Sequence, residues 1–70
     1  MKPEEVVKTV KEMKRLETKR FILGSGKVRE LFTLKRITKD YFEMDSLHCS
    51  FPITLKGLMR MSTQTQFELA

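Results

Sequence analysis

The chain has 70 residues and carries 14 Lys and Arg against 9 Asp and Glu, a formal net charge of +5 at pH 7. So short a chain folds as one domain, residues 1–70, with no core to spare for an organic cofactor, and it lacks the run of about 18 apolar residues that a membrane-spanning helix needs. Its one cysteine, Cys49, excludes an internal disulfide and a multi-cysteine zinc site, and with no signal-peptide pattern we expect a reducing, cytoplasmic location.

The N-terminal segment predicts an amphipathic helix over residues 3–18. Pro3 suits the first helical position, and acidic side chains follow in the first turn, where the helix dipole favours them. At about 100° per residue, Val6, Val10 and Met13 share one side. The opposite side is a basic ridge formed by Lys8, Lys11, Arg15 and Lys19.

After this helix the hydrophobic period shortens towards two residues, which predicts antiparallel strands. Residues 20–23 lead into Gly24-Ser25-Gly26-Lys27, the strongest turn signal in the chain, and residues 28–38 follow as a long strand. The glycine turn indicates a hairpin, because the full pattern of a phosphate-binding loop is absent. Lys39-Asp40 forms the next turn, before a strand at residues 41–44.

The clearest strand signal lies in the second half of the chain. Five apolar residues alternate there with polar ones: Leu47, Cys49, Phe51, Ile53 and Leu55. Pro52 has no N–H to donate, so this strand lies at a sheet edge or carries a bulge. On this pattern Cys49 is a small buried hydrophobic residue.

Residues 58–69 also alternate, and two interpretations of the segment stay open. In the one we prefer, a turn at Lys56-Gly57 leads into an outer strand. In the alternative, Thr54 caps a short helix over residues 54–62. Gly57 inside that helix would cost about 1 kcal/mol, which favours strand–turn–strand.

Together these elements predict an α+β fold. The N-terminal amphipathic helix packs on an antiparallel sheet of four or five strands, with a small curled barrel as a further possibility. Most of the Phe side chains share a face with aliphatic neighbours, so we expect them in the core.

The positive charge is concentrated in the first part of the chain. Residues 1–39 carry 12 of the 14 Lys and Arg with only 5 acids. A domain with one basic half attracts polyanions. Tyr41 follows the turn beside these cations, and its ring and hydroxyl suit the rim of a binding site. The candidate nucleic-acid-binding residues are Lys8, Lys11, Arg15, Lys19, Lys27, Arg29, Lys35, Arg36, Lys39 and Tyr41.

No catalytic or metal constellation is present in the sequence. His48 and Cys49 are adjacent and would point to opposite faces of a strand, so they do not form a nucleophile–base pair. A ribonuclease that uses His48 near Asp45 is a weak third hypothesis, because one histidine specifies no partner group. We therefore predict a protein that is not an enzyme and binds neither metal nor cofactor.

Two function classes remain. The leading hypothesis is a small, non-catalytic, regulatory module that binds DNA or RNA through its basic half. The alternative is a protein-interaction module or small inhibitor that acts on an acidic partner and could form a homo-oligomer. The alternative is motivated by the small core and by Met59 and Met61 on the expected outer strand. Neither hypothesis involves a membrane.

Overall fold

In the computed structural model of the protein, two helices cover one face of a five-stranded antiparallel sheet. The structure describes residues 1–70, except for the side chain of Ser25. The strand order is β4-β3-β2-β1-β5, so the sheet has two edges and does not close into a barrel, while the α+β fold is confirmed. The elements are α1 (Pro3–Lys11), β1 (Thr18–Ser25), β2 (Val28–Arg36), β3 (Tyr41–Asp45), β4 (Ser50–Thr54), α2 (Leu55–Gln64) and β5 (Gln66–Leu69).

The hydrophobic core lies between one face of the sheet and the facing sides of both helices. Side chains alternate along a strand, so every second strand residue points to this core face and the others to the open face. Phe32 and Phe51 pack edge to face against the margin of the core, with ring centroids 6.4 Å apart. The expectation that the Phe side chains form core is confirmed. The buried apolar residues are Val6, Val10, Met13, Phe21, Leu23, Leu34, Phe42, Met44, Leu58 and Phe67.

Helix α1 starts at Pro3 as expected, but it ends at Lys11 rather than near residue 18. The chain leaves the helix because its backbone groups find partners on β2. The Leu16 N–H donates to the Arg36 carbonyl at 2.7 Å, and the Arg36 N–H donates to the Glu17 carbonyl at 3.0 Å. These long-range bonds replace the next helical turn, and the periodicity of residues 12–18 gives no sign of them.

The first hairpin confirms the predicted glycine turn. Gly26 and Lys27 form a two-residue connection between β1 and β2. Gly26 has φ +63°, and glycine is favoured at this first position of a tight hairpin turn. Gly24 has φ +145°, and a Cβ atom there would lie 1.9 Å from the Val28 carbonyl oxygen. The backbones of the two strands therefore approach each other more closely at Gly24 than any other residue would allow.

Residues 46–49 form a turn, so the strand predicted to begin at Leu47 begins three residues later. The Ser46 Oγ accepts hydrogen bonds from the backbone N–H groups of His48 and Cys49, both at 3.2 Å. A serine hydroxyl that bonds to the backbone two or three residues ahead favours a turn over a strand. Leu47 is 97% exposed and Cys49 is also exposed, so the prediction of a buried cysteine is wrong.

Pro52 lies in an edge strand, as its missing N–H predicted. In an antiparallel ladder, hydrogen-bonded and non-hydrogen-bonded pairs alternate. The Leu55 N–H donates to the Asp40 carbonyl, which makes Glu43 and Pro52 a non-hydrogen-bonded pair. The nitrogen of Pro52 consequently faces away from β3, where no ladder bond is lost.

The segment after Pro52 corrects our preferred interpretation: residues 55–64 form helix α2, and only Gln66–Leu69 form the outer strand. Thr54 is the N-cap, and its Oγ1 accepts a hydrogen bond from the Gly57 N–H at 3.1 Å. A Cβ atom on Gly57 would approach the Ile53 Cγ1 to 2.8 Å, so glycine lets the first turn of the helix pack closely on β4. This packing and the cap offset the intrinsic cost of a helical glycine.

Thr54→Ala tests the cap of α2. We expect it to lower the free energy of unfolding by about 1 kcal/mol, because the Gly57 N–H loses its acceptor. Urea denaturation followed by circular dichroism measures this change. The control is Thr63→Ala in the same helix, whose exposed hydroxyl bonds only to the Arg60 carbonyl, and it should change stability by less than about 0.5 kcal/mol. Equal losses in both variants would contradict the capping role.

Candidate nucleic-acid interface

The side chain of Arg36 holds the end of α1 against the β2–β3 turn. Its Nη1 donates to the carbonyl oxygens of Lys11 at 3.0 Å and Met13 at 2.6 Å. Its Nε and Nη2 donate to the carbonyl oxygens of Thr38 at 3.2 Å and Lys39 at 2.6 Å. One guanidinium therefore accepts no bonds but donates to carbonyls of two segments that are far apart in sequence, the C-terminal end of α1 and the β2–β3 turn.

The guanidinium of Arg36 also lies over an aromatic ring. Its Cζ lies 5.5 Å from the centroid of the Phe42 ring, within the range of a cation–π interaction. Phe42 is completely buried, so the arginine spans the boundary between core and surface. Although Arg36 is a predicted phosphate-binding residue, its donors point to the protein's own backbone. We assign it a structural role in positioning its neighbours.

The loop between α1 and β1 is fixed by Glu17. The Glu17 carboxylate accepts a hydrogen bond from the Lys14 N–H at 2.9 Å, and the Glu17 N–H donates to the Lys14 carbonyl at 3.0 Å. Leu16, inside this loop, has φ +67°. The Lys14 N–H lowers the pKa of Glu17 below its usual value of 4.5, and the Lys19 ammonium, 3.6 Å away, acts in the same direction. The loop backbone thus holds Lys14 and Arg15 in place.

Three chain segments meet around Arg36 and present a group of cations that we call the basic end. Its members are exposed. Among the side chains that the structure describes, the ion pairs are Lys19–Glu17 and Arg29–Glu68, so no basic-end cation is neutralised by direct pairing. Glu12 and Asp40 lie next to these cations in sequence, yet neither is within ion-pair distance of one. The basic end comprises Lys11, Lys14, Arg15 and Lys39.

Lys14 was absent from the predicted site residues. A helix extended to residue 18 would place Lys14 to one side of the basic ridge, and α1 stops before it. In the loop, both Lys14 and its neighbour Arg15 are exposed. The adjacency of two cations in a short polar segment is the only signal that could have identified it. Lys8, exposed one turn before Lys11 on α1, adjoins the basic end.

The other predicted cations do not join this group. Lys19 pairs with Glu17, Lys35 lies across the ladder from Glu43, and Arg29 pairs with Glu68. Lys27 is at the tip of the β1–β2 hairpin, about 26 Å along the strand from Lys19 at 3.3 Å per residue. The ten predicted residues therefore do not form one continuous patch.

The open face of the sheet carries balanced charge. Three cations and three acids project from it: Arg20, Arg29, Lys35, Glu43, Asp45 and Glu68. A phosphate chain laid across this face would meet as many carboxylates as cations. The excess positive charge is displaced to the helix side and to the basic end.

Tyr41 begins β3, directly after the turn that carries Lys39, and it is 45% exposed. Its register partner on β4 is Thr54, and its carbonyl accepts hydrogen bonds from the Ile37 and Thr38 N–H groups. Tyr41 is therefore a solvent-facing aromatic ring on a fixed backbone, next to the basic end.

The structure also shows where the residues considered for catalysis and metal binding lie. His48 lies in the exposed turn before β4, with no carboxylate hydrogen-bonded to it. The described residues contain no group of His, Cys, Asp and Glu that could hold a metal ion. Neither described helix has the length and apolar character required to cross a membrane.

Comparisons with protein-family models, with curated proteins and with solved structures gave no match to this chain. A function must therefore be inferred from the arrangement of its own residues.

Arg36→Met tests whether Arg36 organises the basic end. We expect the free energy of unfolding to fall by about 2 kcal/mol, since the hydrogen bonds to a charged group are lost while the aliphatic stem is retained. Amide hydrogen exchange should also become faster between Lys11 and Glu17. Arg15→Met is the control, because Arg15 is exposed and has no described partner, and it should change stability by less than about 0.5 kcal/mol. Equal effects of the two substitutions would refute the role of Arg36.

Glu17 should contribute to the pH dependence of stability. Its pKa is lowered in the folded protein, so its contribution is present above the usual value of 4.5 and is lost as the pH falls through the lower folded value. Glu17→Gln should therefore flatten the acid limb of stability against pH. Urea midpoints between about pH 6 and pH 3 measure this effect. An acid limb as steep in the variant as in the parent protein would contradict it.

Proposed function

We propose that this protein is a small, non-catalytic nucleic-acid-binding module whose basic end binds the phosphate backbone. The observation that carries the proposal is that the hydrogen bonds of Arg36 join three segments, the end of α1, the following loop and the β2–β3 turn, and that these segments carry four exposed cations without an ion pair. Successive phosphates of one strand offer a matching row of negative charges. A regulatory role is part of the same proposal, in which the module acts by occupying the nucleic acid.

Preorganisation supports the proposal. The guanidinium of Arg36 and the carboxylate of Glu17 fix the backbone that carries these cations, so little backbone order must be gained when a ligand binds. Phosphate contacts of this type orient a ligand but carry no sequence information. Tyr41 supplies the one exposed aromatic ring at this end of the described structure, where an unpaired base could stack on it. That combination favours single-stranded nucleic acid, with weak sequence preference.

The salt dependence of affinity tests the number of phosphates bound. If the four cations each neutralise one phosphate, log K should fall with log salt at a slope of about −2.8 for single strands and about −3.6 for duplex DNA. Fluorescence anisotropy with labelled oligonucleotides of RNA and DNA at several salt concentrations gives both slopes. Binding that does not weaken as salt is raised would exclude the proposal.

Two triple variants separate the basic end from net charge. Lys14→Gln/Arg15→Gln/Lys39→Gln removes three cations of the basic end and should reduce the slope for single strands to about −0.7. Lys2→Gln/Lys27→Gln/Arg29→Gln removes the same number of Lys and Arg elsewhere on the surface, and it should leave most of the slope intact. Equal losses from both variants would show that overall charge, and not this site, attracts the ligand.

An acidic protein surface is the alternative partner for the same cations. Polyglutamate of similar length distinguishes the two ligands, since it carries charge without bases to stack on Tyr41. Single-stranded RNA should bind more tightly than polyglutamate at equal charge, and Tyr41→Ala should remove the difference. If polyglutamate binds as tightly as RNA, the acidic-protein alternative replaces the nucleic-acid proposal.

A further inference from the structure

Strand β2 is longer than its neighbour β3, which leaves part of its edge uncovered. The pairing of β2 with β3 starts at Thr33 opposite Asp45, whereas β2 itself extends back to Val28. About 13 Å of strand edge, at 3.3 Å per residue, is therefore without a neighbouring strand on this side.

The backbone groups of Leu31 and Arg29 point out of this uncovered edge. The Arg36 N–H bonds to Glu17 of the segment leading into β1, so the even-numbered residues of β2 bond towards β1. The odd-numbered residues bond towards β3, as the Ile37 N–H does with the Tyr41 carbonyl. Within the described hydrogen bonds, Leu31 and Arg29 have no backbone partner on that side.

A depression of about 450 Å³ lies along this uncovered edge, and we call it the β2 notch. Leu31, which is 46% exposed, and Leu47, which is 97% exposed, form its apolar part. Arg29, Asp45 and His48 also line it, and Arg29 pairs with Glu68. The notch therefore offers unpaired backbone donors and acceptors beside an apolar surface, and these are the requirements for adding an extended segment.

Glu30 gives the notch a charge preference. Its Oε1 is buried and is the one buried side-chain oxygen or nitrogen, among those described, that has no hydrogen-bond partner. Glu30 lines the β2 notch and also an adjoining apolar pocket of about 260 Å³ that includes Phe32, Phe51 and Met61. A buried carboxylate oxygen without a hydrogen-bond partner costs free energy, and a lysine or arginine that donates to it would remove that cost.

The two outer edges of the sheet are protected in ways that the notch is not. On β4, the nitrogen of Pro52 points outward and cannot donate. On β5, the N-terminal ammonium of Met1 donates to the outward-facing Phe67 carbonyl at 2.7 Å. The uncovered part of β2 has neither protection.

We propose that the β2 notch binds an extended peptide segment that carries a lysine or arginine opposite Glu30. The segment adds as a short strand beside β2, and its residues on either side of the cation exchange backbone hydrogen bonds with Arg29 and Leu31. Its cationic side chain lies on the same face as Glu30, within reach of the carboxylate and of the Phe32 and Phe51 rings. The flanking side chains project to the open face, against Leu31 and Leu47. This inference is independent of the nucleic-acid proposal, because the notch lies at the hairpin end of β2 and the basic end at the other.

The test uses a blocked pentapeptide, Thr-Ile-Lys-Ile-Thr, titrated into the labelled protein and followed by amide NMR. We expect saturable shifts at Arg29, Leu31 and Leu47. Two matched peptides isolate the two contacts: one has glutamate in place of the lysine, and the other has both isoleucine amides N-methylated. Each should bind at least tenfold more weakly, since the first loses the ion pair and the second the strand hydrogen bonds.

Protein variants supply the second arm. Glu30→Gln should lower the affinity for the lysine peptide at least tenfold. Glu43→Gln removes an exposed carboxylate from β3 and should leave that affinity within twofold of the parent protein's. Without peptide, Glu30→Gln should be at least as stable as the parent, because an unpartnered charge is removed.

Several results would overturn the proposal. These are no shifts at millimolar peptide, equal binding of the N-methylated peptide, or undiminished binding to Glu30→Gln. Binding of free lysine with the same affinity as the peptide would show a cation pocket without strand addition. A dimer in solution whose amides at Arg29 and Leu31 are already protected from exchange would show that a second copy occupies the notch.

Discussion

The hydrogen bonds of one guanidinium join the end of α1 to the β2–β3 turn. Arg36 leaves the end of β2, lies over the buried Phe42 ring and donates to carbonyls of both α1 and the β2–β3 turn. A helix C-terminus exposes carbonyls that need donors, and an arginine supplies several in one plane. By joining the end of α1, the following loop and the β2–β3 turn, Arg36 holds together the backbone that carries the exposed Lys11, Lys14 and Lys39. Arg36 therefore organises the basic end without being one of its exposed cations.

The sheet uses its two faces for different purposes. The core face contains the buried aromatic and aliphatic side chains, while the open face balances three cations with three acids. Because its charges balance, the open face generates no strong electrostatic field. The net charge of +5 therefore lies on the helix side and at the basic end. The β2 notch lies at the other end of the strands, so the two proposed sites are well separated.

Much of the fold could be predicted from local patterns. The start of α1, the glycine hairpin, the Phe core and the edge position of Pro52 follow from helical periodicity, backbone chemistry and strand alternation within a few residues of each position. The candidate site was predicted less well. Charge showed which half of the chain is basic, but it did not indicate that Lys14 lies in a loop after α1 or that the donors of Arg36 face the protein's own backbone.

By itself, the sequence determined most of the residues that avoid water and the position of the glycine turn, because these depend on side-chain polarity and on the dihedral freedom of glycine. The tertiary structure decided everything that needs a distant partner. Residues 55–64 became α2, which buries Leu58 in a core shared with Val6 and Phe67, and α1 stopped because β2 offered bonds to Leu16 and Glu17. Pairing across the sheet likewise decided which cations form ion pairs. Such a pair depends on which residues lie opposite each other on neighbouring strands, and the order of residues along the chain does not show this.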